Sequence, residues 1–209
     1  MTRATVPLVF IVDDDPSVRK SLVRLIGSAG YKVEAFASAE DFLSREPSIG
    51  PCCVVLDVRM PGVTGLDLQK TLKSALHGIP IVFITGHGDV SMSVSAMKAG
   101  AIDFLTKPFE GKDLLSAVQR AVAIDTRGLG AEARTGEVQK RANLLTPRQR
   151  QVFALVVTGM LNKQIASELR IAEKTVKVHR AQVMEKMRAG SVAELVRLAD
   201  EIGVIVTQA

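Results

Sequence analysis

The run Cys52-Cys53-Val54-Val55-Leu56-Asp57, followed by Val58-Arg59-Met60-Pro61-Gly62, constrains this chain more than any other stretch. An apolar run closed by an acid and then by a Pro-Gly turn reads as a buried parallel strand that delivers one carboxylate to its carboxyl edge. Ligand chemistry in open α/β sheets collects at that edge. Leu8 to Val12 reads as a second such strand and runs into Asp13-Asp14-Asp15. Two parallel strands that both end in acids bring carboxylates together, and such a cluster repels itself unless a hard divalent cation binds. Oxygen ligands with room for water suit Mg²⁺. Taken alone, either acid group reads more simply as a capped or solvated turn. However, Ile81 to Thr85 ends a third strand in a hydroxyl, and Phe104-Leu105-Thr106-Lys107-Pro108 ends a fourth in a lysine. Acids, Thr and Lys at four strand ends describe one site.

Around these strands the pattern alternates. Ser17 to Ala29 carries Val18, Leu22, Leu25 and Ile26 at helical spacing, with Gly30 as its stop. Lys32 to Phe36 is a short strand, and Ser38 caps a helix with an acid-rich first turn. Gly65 to Ser74, Val90 to Ala99 and Glu110 to Ala123 supply three more helices. Five strands alternating with five helices predict a doubly wound α/β fold around a five-stranded parallel sheet. After Ala123 the pattern fades, and Gly128, Gly130 and Gly136 predict a partly helical, jointed linker over residues 125 to 143.

The tail from Leu144 reads as four short helices. Thr146-Pro147-Arg148-Gln149 is a capping box with Pro at the first helical position, and Gly159 ends that helix. Asn162 is expected to cap a short helix, Lys163 to Leu169, and a tight turn joins it to Glu173 to Met187. Two short helices so joined are the helix-turn-helix signal. Ser191 to Glu194 is a second capping box and opens the closing helix.

At 209 residues the chain can hold two small domains, each with its own core. Charge separates them: 13 basic and 13 acidic residues in 1 to 124, 4 and 3 in 125 to 143, and 10 and 6 in 144 to 209. A neutral first part and a basic second part point to a polyanion partner for the second. No apolar stretch approaches the ~20 residues that span a bilayer, and the amino terminus lacks a signal pattern, so a cytoplasmic protein with no membrane partner is expected. Cys52 and Cys53, adjacent in a buried strand, read as small core hydrophobes rather than as a disulfide or metal site.

Over roughly residues 6 to 124, the strand ends together with ITGHGDV and AMKAGAIDFLTKPF resemble the receiver domain of two-component response regulators, and the FixJ branch in particular. That resemblance implies a flavodoxin-like domain over 1 to 124 that accepts a phosphoryl group on Asp57 from a sensor histidine kinase. It implies Asp14 and Asp57 as direct Mg²⁺ ligands, Asp13 as a ligand through water, and Arg59 as the donor of a backbone carbonyl. Lys107 is implied to pair with the phosphoryl group across a cis bond to Pro108, an isomer that proline adopts at low cost. Thr85 and Phe104 match the family's switch pair, with a Phe that has no phenol to offer. His87, a loop histidine with no evident partner, is assigned no chemistry.

The segment LTPRQRQVFALVVTGMLNKQIASELRIAEKTVKVHRAQVMEKM resembles the LuxR/NarL-type helix-turn-helix. At about 100° per residue, Val176, Val183 and Met187 share an inward face, while Lys174, Lys177, Val178, Ala181 and Gln182 lie opposite and can read base edges of double-stranded DNA. Thr175, His179 and Lys163 are better placed for phosphates. Two departures stand out: Ala172 occupies the N-cap where relatives often have Ser, and Ala181 a position where some have Lys. The resemblance places this domain over 144 to 209 and implies a regulator of the NarL/FixJ family that binds DNA as a homodimer on phosphorylation, with RNA polymerase as a further partner. It implies no enzyme activity beyond self-phosphorylation and slow dephosphorylation. An enzyme acting on phosphorylated small molecules would need a substrate pocket that so short a domain has no insertion to build. A non-phosphorylated protein-binding module would require loss of an acid or of Lys107.

Overall fold

A computed structural model of the chain describes residues 5–73, 78–86 and 90–204. The predicted helix end at Ser74 and the loop residue His87 lie outside them. The chain divides into two compact units, Met1–Leu129 and Gly130–Ala209.

In the first unit, β1 (Leu8–Val12), β2 (Lys32–Phe36), β3 (Cys52–Asp57), β4 (Ile81–Thr85) and β5 (Asp103–Thr106) form one parallel sheet in the order β2-β1-β3-β4-β5. Helices α1 (Pro16–Ser28), α2 (Ala39–Leu43), α3 (Gly65–Lys73), α4 (Val90–Lys98) and α5 (Gly111–Asn143) connect and follow the strands. Because successive strand residues point to opposite faces, each central strand feeds two cores. Phe10, Val54, Leu56 and Phe83 pack with Phe42 of α2, Leu68 of α3 and Ala96 of α4. Val9, Ile11, Val55 and Ile84 pack with Leu22 and Ile26 of α1 and Leu114 and Val118 of α5. Covering on both faces explains why β3 and β4 are buried throughout and apolar up to their last residues, Asp57 and Thr85, rather than alternating.

Local chemistry sets the helix starts. Helix α1 begins at Pro16, not Ser17, because the Asp15 carboxylate accepts hydrogen bonds from the Ser17 and Val18 N–H groups. Asp15 is thereby withdrawn from the acid cluster and serves as an N-cap. At the other end of the sheet, Cys52 N–H donates to the buried Asp125 carboxylate at 2.8 Å. Burial pushes the Cys52 thiol up to about 12, and moves Cys53 in the same direction, so both remain protonated core residues.

The expected end of a helix at Ala123 and the jointed linker are corrected by the structure, in which α5 continues to Asn143 through Gly128, Gly130 and Gly136. A glycine in a helix interior costs about 1 kcal/mol relative to Ala but keeps its backbone donor, so it weakens a helix without ending it as proline does. A Cβ at any of the three would meet nothing within 4 Å. Ala121 and Val122 hold the helix to the first core, and Val138 and Ala142 are buried in the second. The second unit therefore takes core residues from before position 144.

That unit adds α6 (Pro147–Val157), α7 (Asn162–Leu169), α8 (Glu173–Met187) and α9 (Val192–Glu201). Its core joins Val152, Phe153, Ile165, Val176, Val183 and Leu195. The Thr146/Gln149 capping box forms in both directions. Two caps differ from expectation. Leu161, with no side-chain cap, precedes α7, and Asn162 is the first helical residue, its Oδ1 accepting from the Arg180 guanidinium of α8 at 2.9 Å. Ser191 caps α9 as expected, but Glu194 accepts from Gly190 N–H, one residue before the position a capping box uses. The turn between α7 and α8 passes through Arg170 at φ 53°, which leaves Ile171 N–H to close back on the Ala166 carbonyl.

Candidate functional site

In the strand order of the first unit, direction of winding reverses between β1 and β3, the place where such sheets form a crevice at their carboxyl edge. Asp13 follows β1, and Asp57 closes β3. Both are buried, at 0% and 6% exposure, whereas Asp14 is exposed. Carboxylate oxygens of the three lie within 4.8 Å of one another. Three hard oxygen donors, one of them open to water, fit a divalent cation of the Mg²⁺ type.

Lys107 neutralises part of this cluster. Lys107 Nζ donates to Asp13 Oδ2 and to Asp57 Oδ2, each at 2.7 Å. The second oxygens are also occupied: Asp13 Oδ1 accepts from Asp15 N–H and Asp57 Oδ1 from Arg59 N–H. Burial raises the Asp13 carboxyl above its usual value, against the opposing pull of Lys107 and the Asp15 N–H. Burial also works against the Lys107 ammonium, but its hydrogen bonds to Asp13 and Asp57 outweigh that and raise its pKa. One ammonium thus bridges two carboxylates, and its positive charge is what lets both stay close.

Position on the sheet explains how a residue fifty places from Asp57 reaches it. Asp57 pairs in register with Ile84, and Thr85 pairs with Thr106, so Thr85 and Lys107 follow at the same edge. Lys107 N–H donates to the Thr85 carbonyl at 2.7 Å, and the Lys107–Pro108 peptide is cis. Thr85 is fully buried. Phe104 is half-buried, its ring 6.1 Å from that of Phe83.

Two contributors have no clear sequence signal. Arg19 of α1 donates to the Asp13 carbonyl at 2.7 Å and fixes the turn that carries the acids. Gly65 opens α3 with its N–H on the Val58 carbonyl, and a Cβ there would lie 2.3 Å from the Asp57 carbonyl oxygen. The obstructing atom is backbone, so Gly65→Ala must shift the Asp57 peptide. It is expected to cost about 1–3 kcal/mol, as overpacking does, and to slow any chemistry at Asp57. Thermal melting read beside the phosphorylation rate checks both; an unchanged melting temperature would show that the turn is not tight.

In the second unit, Val176, Val183 and Met187 are fully buried, while Lys174, Thr175, Lys177, Val178, Ala181 and Gln182 of α8 and Lys163 of α7 are exposed. The predicted inward and outward faces are therefore both present. His179 is half-buried, with a buried Nδ1 that has no hydrogen-bond partner. Lys177 lies 3.3 Å from Glu173 one turn earlier. An exposed pair of this kind is worth roughly 0.3–0.5 kcal/mol and yields readily to a stronger anion.

Two family models match the chain. That for the response regulator receiver domain covers residues 9–119, and that for the bacterial regulatory proteins of the luxR family covers 143–199. Nodulation protein W of Bradyrhizobium diazoefficiens is 46% identical over 201 residues, 96% of this chain and 88% of that protein. The chain belongs to the NarL/FixJ family of response regulators. Response regulator protein TodT of Pseudomonas putida is 44% identical, over 93% of this chain and 86% of that one. Among solved structures, the response regulator StyR is 48% identical, with a TM-score of 0.83, over 94% of this chain and all of that one. Full-length FixJ from B. japonicum is 43% identical, with a TM-score of 0.56, over 95% and 98%. In this response regulator the acid cluster with Lys107 is thus the receiver's edge, and α7 with α8 is the helix-turn-helix of the LuxR-type DNA-binding domain.

Proposed function

We propose that the protein accepts a phosphoryl group on Asp57 from a sensor histidine kinase and, so modified, binds double-stranded DNA as a dimer to regulate transcription in the cytoplasm. The observation that carries this reading is the Lys107 ammonium held at 2.7 Å from both Asp13 and Asp57 at the open edge of the sheet. An Asp57 carboxylate oxygen attacks phosphorus, the phosphorus–nitrogen bond of the kinase phosphohistidine breaks, and the imidazole leaves with the electron pair and takes up a proton. Asp14, Asp57 and the Arg59 carbonyl, with Asp13 through water, would hold Mg²⁺, which would supply positive charge against the phosphoryl oxygens. Lys107 transfers a hydrogen bond from carboxylate to phosphoryl oxygen, where a charge-assisted bond is stronger. The Thr85 hydroxyl moves to donate to another phosphoryl oxygen, and Phe104 follows it. Beyond its own phosphorylation and slow dephosphorylation the protein is no enzyme. RNA polymerase is its partner at the promoter. Among the described residues no helix is long and apolar enough to cross a membrane.

Incubation with acetyl phosphate, followed by phosphate-sensitive electrophoresis, tests the first half: a retarded species that requires Mg²⁺ is expected, and its absence would remove the reading. The second half rests on the exposed face of α8. Lys177→Ala is expected to weaken specific DNA binding by about 1–3 kcal/mol and to relax preference at one base pair, as a groove contact does. Lys163→Ala should instead lower affinity for all sequences alike and shallow the salt dependence by about one unit. Identical behaviour of the two variants across a set of duplexes would contradict the division between reading and positioning residues.

A further inference from the structure

Gln149 is buried, at 5% exposure, yet it belongs to a helix start whose cap needs only its oxygen. Its Oε1 accepts from Thr146 N–H at 2.9 Å and from Lys186 Nζ at 2.8 Å. Both partners are donors only, so the orientation of the Gln149 amide is fixed by chemistry: oxygen toward them, nitrogen away. The nitrogen then meets Gln182, and Gln149 Nε2 donates to Gln182 Oε1 at 2.9 Å. Lys186 is itself anchored by a second bond to the Leu144 carbonyl at 2.9 Å. The chain of constraint runs from the N-cap of α6 to the exposed surface of α8.

From this network we propose that Gln149 is a positioning residue for DNA recognition: it holds the oxygen of Gln182 on its own side, so that Gln182 presents its NH₂ group outward as a donor to a hydrogen-bond acceptor on DNA. The inference rests on the reading of α8 as the DNA-facing helix and adds the polarity of one contact. An unconstrained glutamine can turn either end outward, since its amide offers two donors at one end and an acceptor at the other. Here the choice is made inside the domain. The acceptor can be a phosphate oxygen or an acceptor on a base edge, such as N7 or O6 of guanine or O4 of thymine.

Replacing Gln149 by Glu inverts the polarity without removing the cap. A carboxylate accepts from Thr146 N–H and Lys186 as before, and an acid at the first turn of α6 is favourable for the helix. Its remaining oxygen cannot donate, so Gln182 must give its NH₂ inward and turn its oxygen toward the DNA. The same substitution adds a negative charge, which weakens binding to any polyanion. A double-mutant cycle with Gln182→Ala separates the two effects, because the charge acts in both backgrounds and the polarity only where Gln182 is present.

The experiment uses the full-length protein phosphorylated with acetyl phosphate. A random pool of duplex DNA supplies a selected sequence, and affinities are then measured for that duplex and its single base-pair variants. Gln149→Glu is expected to weaken binding about tenfold more with Gln182 in place than in the Gln182→Ala background, as loss of one hydrogen bond to DNA implies. Uniform extra loss across the variants assigns the acceptor to a phosphate. Extra loss with a changed preference at one base pair, toward the amino groups of adenine or cytosine, assigns it to a base edge. Both outcomes support the inverted contact. Equal losses in the two backgrounds, with wild-type binding intact, overturn this inference alone; a wild-type protein that selects no duplex overturns the DNA-facing assignment of α8 and this inference with it. Circular dichroism melting of each variant confirms that folded proteins are compared.

Discussion

Asp57→Ala is expected to abolish phosphoryl acceptance from acetyl phosphate while leaving the fold in place. Three carboxylates approach one another at the sheet edge, but their situations differ. Asp13 is fully enclosed, and Asp14 is exposed, while Asp57 is the acid that terminates the central strand, with Lys107 on one oxygen and the Arg59 N–H on the other. The acceptor needs a carboxylate that is held in one orientation beside a cation and donors for the incoming oxygens, and Asp57 has both. In the metal-free protein the substitution removes one bond of Lys107 and also one of two like charges beside Asp13, so the two effects on stability oppose each other. The melting temperature should therefore shift by only a few degrees, in contrast to the complete loss expected in phosphate-sensitive electrophoresis. Stoichiometric modification of the Asp57→Ala protein at the wild-type rate would refute the assignment.

The strand ends explain why so much of this site is legible in sequence. A buried parallel strand tolerates polar residues mainly where it leaves the sheet, so Asp, Thr and Lys at the ends of four apolar runs together mark the functional edge. Parallel register then carries residues distant in sequence to one place, as Thr85 against Thr106 brings Lys107 toward Asp57. What sequence does not carry is the partition of roles among neighbours. Asp13, Asp14 and Asp15 are one run of identical residues, and only backbone direction makes the first buried, the second open and the third an N-cap. Gly65 is a similar case, because its requirement comes from a carbonyl oxygen eight residues earlier in chain order that no spacing rule reveals.

The helix continues past Ala123 for an energetic reason. Gly128, Gly130 and Gly136 lower helix propensity within a short window, and propensity is a weak prior that tertiary packing overrides. Val138 and Ala142 bury their side chains in the second core and stabilise the helix beyond its glycines. The Gln149 network escapes sequence reading differently. Its role in the capping box is visible at i, i+3, whereas its bonds to Gln182 and Lys186 depend on α6 packing against α8 more than thirty residues away.

Phosphorylation is expected to raise affinity for a symmetric DNA site by roughly 10²–10⁴-fold, through dimerisation rather than through any change in the contacts of α8. A single helix-turn-helix offers few base contacts, whereas two joined copies gain an effective concentration for the second binding event. The face expected to join them is α4 with β5: Thr85 ends the strand that leads into α4, and Phe104 lies on β5. Val94 and Met97, three residues apart on α4, expose apolar side chains there, at 44% and 45%. Phe104 on β5 is half-buried and packs on the same core as Met92 and Ala96 of α4, its ring paired with that of Phe83. Exposed apolar groups on one helical face are costly in a monomer and favourable when a second copy covers them. The proposed movement of Thr85 and Phe104 would act on this surface. Isolating the second unit provides the control, and the truncation must begin at Gly130 rather than at residue 144, since Val138 and Ala142 belong to its core. That fragment is expected to bind a symmetric duplex more weakly than the phosphorylated full-length protein, and without response to acetyl phosphate. Sedimentation velocity with and without acetyl phosphate, paired with binding titrations on the same duplex, measures both quantities. If the phosphorylated protein sediments as a monomer and binds no more tightly than the unmodified one, coupling by dimerisation is excluded.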